Sequence, residues 1–343
     1  MISGGSFEGV SASRYEKMFY RRCGRSGLLL PLVSLGMWHN FGDWASEDTC
    51  RSVVSHAFDA GVTYFDLANN YGPPPGEAEK TFGRILSSLP RDEIVVATKA
   101  GYFMWPGPYG NWGSKKHLLA SIDQSLRRLG LDYVDIFYHH RPDPDTPVEE
   151  TVEALDLIVR QGKALYVAIS NYDVAATERF MAAARRTAFA TPIINQCRHN
   201  IFRRGVSEEL LRVCERLGLA VVAYSPLAQG LLSDRYVDGI PTSSRAARKT
   251  WDGGDLKAEQ VTQETIASVK ELTALAAARG QSLAQMAISW CLRDRPGTTP
   301  ISSVIIGPSS VAQLTHNIGA ITNTTFGEAE LEAIEIACRP RAA

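Results

Sequence analysis

The chain has 343 residues, with 36 Lys and Arg against 37 Asp and Glu. This near-neutral balance excludes a global field drawing it to nucleic acid or to a membrane surface. Apolar residues make up 45% and charged residues 21%, the profile of a soluble globular protein with a sizeable core.

No apolar run reaches the roughly 20 residues that span a bilayer. The N-terminus has no apolar h-region of a signal peptide. The six cysteines are scattered, with no Cys-x-x-Cys pair. A reduced, cytoplasmic protein with no metal, nucleic-acid or membrane partner is therefore expected.

Along the chain, Tyr20–Leu30, centred on Gly24-Arg25-Ser26-Gly27, reads as a β-hairpin placed to plug the bottom of a barrel. Eight strand-like runs follow: Leu30–Trp38, Val62–Leu67, Glu93–Lys99, Tyr133–His139, Lys163–Ser170, Thr191–Gln196, Leu219–Ser225 and Ser302–Gly307. Most are near-continuous apolar runs, as expected for strands covered on both faces. Helix patterns lie between them. Ser46 is a candidate cap before the apolar face Cys50, Val53, Val54, Ala57 and Phe58, with Gly61 as the stop. Ser114 caps a second helix, which Gly130 ends. Thr146-Pro147-Val148-Glu149 reads as a capping box with proline at the first helical position, and Gly162 ends that helix. Asp173 starts the helix after strand five, and Val206–Leu217 follows strand six.

Eight alternations predict an α/β fold of the closed (β/α)8 TIM-barrel type. A doubly wound open sheet is the competitor, but the G-x-G-x-x-G fingerprint is absent. Residues 1–343 are read as one barrel domain. It divides into an extension (1–18), the hairpin (19–30), the barrel (31–320) and a C-terminal helix and tail (321–343). Gln229–Gln260, a long polar loop after strand seven, reads alone as a solvated insertion; a lid or binding loop is the other reading.

In such a barrel, chemistry sits at the C-terminal strand ends. Those positions hold Trp38, Asp66, Lys99, His140, Ser170-Asn171, Gln196, Tyr224-Ser225 and Gly307-Pro308-Ser309. Tyr71 stands five residues beyond Asp66 on the loop leaving the second strand. Singly, Asp66 could cap a turn, Lys99 could reach to solvent, Tyr71 could pack on its loop, and His140 could be an ordinary hydrogen-bonding group. Jointly, the four at one rim suit proton transfer to a carbonyl oxygen. His139 points to the opposite side of its strand and is read as structural. Trp38, Trp105 and Trp112 are candidate walls of a substrate pocket. For Trp112, packing within a surface loop is an equal reading.

Asp66 to Gly72, Thr98-Lys99 and His140-Arg141-Pro142-Asp143 resemble the signature segments of the aldo-keto reductases. The resemblance runs from about Tyr20 to about Asn317 and takes in Ser170-Asn171, Asn195-Gln196, Tyr224 to Gly230 and Ile306-Gly307. Asn69 to Gly76 and Lys99 to Gly110 are similar to a narrower group, that of bacterial L-glyceraldehyde 3-phosphate reductases and potassium-channel β subunits.

The resemblance implies NADPH-dependent reduction of small carbonyl compounds, with L-glyceraldehyde 3-phosphate or methylglyoxal as candidate substrates, and a homo-oligomer, tetramer or octamer. It implies that Tyr71 gives the proton, Lys99 lowers the phenol's pKa, Asp66 holds Lys99 and His140 orients the carbonyl. Trp38, Tyr71, Trp105 and His140 would face the substrate. For the cofactor it implies Trp38 and Asp66 nearby, Ser170, Asn171 and Gln196 at the carboxamide, and Tyr224 against the nicotinamide. Ser225, Leu227, Gln229 and Gly230 would line the pyrophosphate, and Gly307, Ser309, Gln313 and Asn317 the adenosine end. Arg245, with Arg235 assisting, would meet the 2′-phosphate. The chain departs from the channel subunits at His316 (acidic there) and Ser243 (tyrosine there). A nucleotide-binding regulatory protein of the channel-subunit kind is the alternative function. His140 favours the enzyme, because the mammalian channel subunits carry asparagine at that position. A barrel enzyme using Lys99 as a Schiff base is a third reading.

Overall fold

A computed structural model describes residues 11–242, 244–247 and 256–339. Eight parallel strands close into a barrel: β3 (Val33–Gly36), β4 (Tyr64–Asp66), β5 (Val95–Ala100), β6 (Val134–His139), β7 (Ala164–Ser170), β8 (Ile194–Arg198), β9 (Ala220–Tyr224) and β10 (Ser303–Ile306). The last pairs back onto β3 through Val304 opposite Val33. The expected (β/α)8 architecture is the observed one. Closure needs β10 and β3 to approach closely. A Cβ at Gly36 would lie 2.5 Å from the Ile305 Cγ2 methyl, so only glycine fits there.

Before the barrel, β1 (Tyr20–Arg22) and β2 (Leu29–Pro31) form an antiparallel pair. This hairpin closes the N-terminal end of the barrel. Cys23 and Leu30 join the interior cluster with Tyr64, Ala97, Ile136, Ile194 and Val222. The Arg25 N–H donates to Gly218 O at 3.0 Å, and Arg21 donates to the carbonyls of Leu292 and Ile301.

The outer ring begins with α1 (Glu47–Asp59), α2 (Glu77–Leu86), α3 (Lys115–Leu129), α4 (Val148–Arg160), α5 (Val174–Thr187) and α6 (Glu208–Leu217). Ser114 and Asp173 cap as predicted, accepting from the N–H groups of His117 and Ala176. Two caps differ. Ser46 occupies the N-cap of α1, but its side chain accepts no capping bond. Thr146 does not form the expected capping box. Pro147 is the N-cap of α4, and the Thr146 hydroxyl donates instead to Asp143 Oδ2 at 2.6 Å.

After β9, the sequence pattern assigns nothing between the polar loop and the last strand. The structure places α7 (Gln263–Ala278) and α8 (Leu283–Leu292) there, followed by α9 (Val311–Ile318) and α10 (Glu328–Ala337). The loop read as a solvated insertion carries its own apolar cluster of Leu231, Tyr236, Ala246 and Leu256. Ser243 lies outside the described residues. Among the described residues, no helix is long and apolar enough to cross a membrane, and no group of three or more His, Cys, Asp or Glu is placed to hold a metal.

Candidate active site

Strand alternation decides which side chains reach the barrel axis. On β4, Tyr64 and Asp66 point inward, while Phe65 packs outward on Phe82 at 5.2 Å. On β5, Thr98 faces out and donates to Glu79 Oε1 of α2 at 2.5 Å. That contact fixes the strand's rotation and leaves Lys99 inside, with 0% exposure. On β6, His139 faces out, 2.6 Å from the Tyr172 hydroxyl. His140, just beyond the strand, faces in. The outward placement of His139 agrees with its structural reading.

The inward set converges. Lys99 Nζ donates to Asp66 Oδ2 at 2.6 Å, to Leu67 O at 2.7 Å and to the Tyr71 hydroxyl at 3.3 Å. An ammonium has three protons to donate, and all three are used. Asp66 Oδ1 accepts from Gln196 Nε2 at 2.8 Å. The Tyr71 ring meets the His140 ring edge-on at 5.8 Å, and Tyr102 packs on His140 from another side at 4.6 Å.

Burial dominates the electrostatics. It pushes the Tyr71 phenol well above its ordinary pKa, with Asp66 and the neighbouring phenols adding to the shift. Burial outweighs whatever the Lys99 cation contributes, and the phenol stays protonated at neutral pH. Burial also lowers the Lys99 pKa, against the pull of Asp66. It lowers His140 well below its ordinary value, helped by the Lys99 charge, so this imidazole is neutral. A protonated phenol and a neutral imidazole thus line one cavity, each with a proton to donate in a hydrogen bond.

That neutrality has a consequence for stability. Burial holds His139 at about 4 and His199 at about 3, alongside the depressed His140. In the unfolded chain each takes up a proton near pH 6.5. Below that pH the unfolded state binds more protons than the folded one, so stability falls as pH drops. Three such groups give a slope of up to about 4 kcal/mol per pH unit. Urea midpoints measured from about pH 7.5 to about pH 5.5 should be level at first and then fall. A level midpoint throughout would contradict neutral buried histidines.

The cluster forms one wall of a cavity of about 1770 Å³. Ordinary ligand sites measure roughly 300–1,000 Å³, so this one has room for a dinucleotide with a small substrate. Of the predicted residues, Trp38, Asp66, Tyr71, His140, Asn171, Gln196, Tyr224, Ser225, Leu227, Gln229, Gly230, Arg235, Gly307, Ser309, Gln313 and Asn317 line it. Lys99 stands behind Asp66 and Tyr71. His39, Asn171, Ser225 and Gln229 line the cavity with φ of 61°, 62°, 56° and 59°. Left-handed backbone in residues other than glycine marks loops held in shape by their surroundings.

Several placements differ from expectation. Ser170 is fully buried behind Asn171 and donates to Gln196 O at 2.9 Å. The Asn171 amide is engaged as well. Its Nδ2 donates to His140 O at 3.0 Å, and its Oδ1 accepts from the Tyr224 hydroxyl at 2.8 Å. Trp105 does not line the cavity, because the loop turns its ring onto His117 at 4.9 Å. Trp112 is stacked by the Arg141 guanidinium at 3.6 Å. The aromatic wall is made instead by Tyr102 and Trp44, with Trp38. The Arg245 side chain lies outside what the structure describes. At the far end, α9 presents its amino terminus, capped by Ser310, and His316 is 2.7 Å from the Ser282 hydroxyl.

The sequence matches the Aldo/keto reductase family profile over residues 32–338. It is 48% identical over 330 residues to an L-glyceraldehyde 3-phosphate reductase of Escherichia coli (strain K12), covering 95% of this chain and 94% of that protein. It is 35% identical over 308 residues to a probable voltage-gated potassium channel subunit beta of Oryza sativa subsp. japonica, covering 89% of this chain and 91% of that one. With a barrel closed by these strands and a profile match over almost all of it, the chain belongs to the aldo/keto reductase family.

Proposed function

We propose that the protein reduces small aldehydes to alcohols with NADPH, and that Tyr71 supplies the proton. The observation that carries this reading is the convergence of the Tyr71 hydroxyl, the neutral His140 ring and the Lys99–Asp66 pair on one cavity wall. The nicotinamide, when bound, supplies the hydride. Asn171 and Gln196 would hold its carboxamide, with Asn171 exchanging one of its present bonds, and Tyr224 would pack on its face. Ser225, Leu227, Gln229 and Gly230 would line the pyrophosphate. Gly307, Ser309, Gln313 and Asn317 would hold the adenosine end, near the free N–H groups that open α9. Arg235 and Arg245 are the proposed partners of a 2′-phosphate.

In reduction, His140 hydrogen-bonds the carbonyl oxygen and Tyr71 donates its proton to that oxygen. The phenolate left behind is stabilised by the Lys99 ammonium, 3.3 Å from the phenol oxygen. Asp66 holds that ammonium in place and need not touch the substrate.

The Schiff-base reading requires Lys99 as a free amine, but all three of its donors are occupied. A regulatory role draws on the rice relative's name, that of a probable channel subunit, and His140 at the carbonyl position favours the enzyme. The test is a panel of carbonyl compounds, including methylglyoxal and glyceraldehyde 3-phosphate, with NADPH and NADH followed by absorbance. Loss of NADPH absorbance is expected with small aldehydes. No consumption of either cofactor with any of them would overturn the proposal.

A further inference from the structure

Arg198 is a cation that the mechanism does not use. It is the last residue of β8, two places beyond Gln196, so the two side chains leave the strand on the same face. Gln196 reaches Asp66 Oδ1 at 2.8 Å. Two residues of strand rise carry Arg198 roughly 7 Å further toward the mouth. It lines the same cavity as Tyr71 and His140. Its guanidinium carbon lies 5.7 Å from the centre of the Tyr224 ring, and its partner in strand register is Tyr224. The Arg198 Nε is buried and has no hydrogen-bond partner, and no ion pair holds the guanidinium among the described residues.

A half-buried guanidinium with an unpaired N–H group is costly to leave unmatched. An oxyanion removes that cost, because the planar fork meets phosphate or carboxylate oxygens in pairs. Its height above the reacting cluster is about the length of a three-carbon aldehyde.

We propose that Arg198 binds the anionic tail of the substrate, selecting small aldehydes that carry a phosphate or carboxylate a few bonds from the carbonyl. This rests on the carbonyl-reductase reading given above and names the substrate class of that site. Arg198 contributes no proton or electron. It fixes the far end of the molecule so that the carbonyl stays beside Tyr71 and His140.

The test compares glyceraldehyde 3-phosphate with glyceraldehyde, which differ only in the phosphate, and adds succinic semialdehyde as the carboxylate arm. The ratio of kcat/KM for the anionic over the neutral aldehyde should fall about 10–100-fold in Arg198→Gln, the range for losing one charged contact. Arg198→Lys should keep part of it. The arm that falls further tells whether phosphate or carboxylate is the preferred tail.

An unchanged ratio, or equal losses on all three aldehydes, overturns the proposal. So does a weakened NADPH affinity with the ratio preserved, since Arg198 would then be a cofactor contact. Calorimetric titration of glycerol 3-phosphate into the NADPH-loaded protein reads the anion site without turnover. Binding to the original protein and to Arg198→Lys, but not to Arg198→Gln, supports the site even if no aldehyde is reduced. Absent binding, or equal binding to all three proteins, overturns it.

Discussion

Replacing Tyr71 with phenylalanine is expected to lower kcat by about 10²–10⁴-fold, the usual worth of a positioned general acid, while NADPH affinity stays near its original value. The substitution removes one oxygen and keeps the ring, so the edge contact with His140 at 5.8 Å survives. Lys99 loses only the longest of its three acceptors, the phenol at 3.3 Å, and keeps Asp66 and Leu67. The cluster should therefore stay folded with its charge in place. What disappears is the hydroxyl that gives the proton in the proposed mechanism. Cofactor quenching of protein fluorescence reports binding, and single-turnover absorbance reports the chemical step. Turnover within a few-fold of the original would remove Tyr71 from the reaction. Because burial raises the phenol's pKa, it stays loaded with its proton through the neutral range. Reduction by the original protein should accordingly show no loss between about pH 6 and pH 8 from this group.

The barrel was legible because its strands are buried on both faces. Tyr133–His139 and Lys163–Ser170 read as largely apolar runs, each following a helix that ends at a glycine (Gly130, Gly162), and near-continuous apolar runs are what a doubly covered strand requires. The inward polar cluster was legible because a polar residue ending such a run has few reasons to be there, and strand alternation sets its direction. Legibility fails where polar residues continue a strand. β8 runs on through Cys197 and Arg198, but the pattern of apolar residues stops at Gln196, so Arg198 escaped notice as a lining residue. It fails again on loops. Nothing in the spacing of Tyr102, Trp105 and Trp112 tells which ring turns toward the cavity. That is set by local contacts such as Trp105 on His117 and Arg141 on Trp112. The α7 and α8 helices, which close the far end of the cavity with Gln281 to Ala284, were hidden for another reason. α8 is buried nearly all round, from Met286 to Leu292, and so lacks an amphipathic period.

Replacing Lys99 with methionine should cost both activity and stability, for separable reasons. The ammonium is wholly buried and Asp66 is 2% exposed. Removing the cation leaves the carboxylate with Gln196 at 2.8 Å and the Tyr64 hydroxyl at 3.4 Å, neither of which carries charge. An unpaired buried charge costs about 3–5 kcal/mol of stability. Activity should fall by about 10²–10³-fold as well, because the phenolate formed in the transition state loses its electrostatic partner. The double variant Lys99→Met with Asp66→Asn tells the two losses apart. It removes the stranded carboxylate, so stability should recover by most of the lost amount, whereas activity should stay low. Urea unfolding of the original protein, the two single variants and the double variant gives the coupling energy directly. If the double variant were no more stable than Lys99→Met alone, the lost stability would not come from the unpaired carboxylate. If activity returned with stability, Lys99 would serve the fold rather than the phenolate. A stable but slow double variant is the result that ties the ion pair to the chemistry. Asp66 then keeps a cation under the phenol, and that cation answers the charge Tyr71 acquires when it gives up its proton.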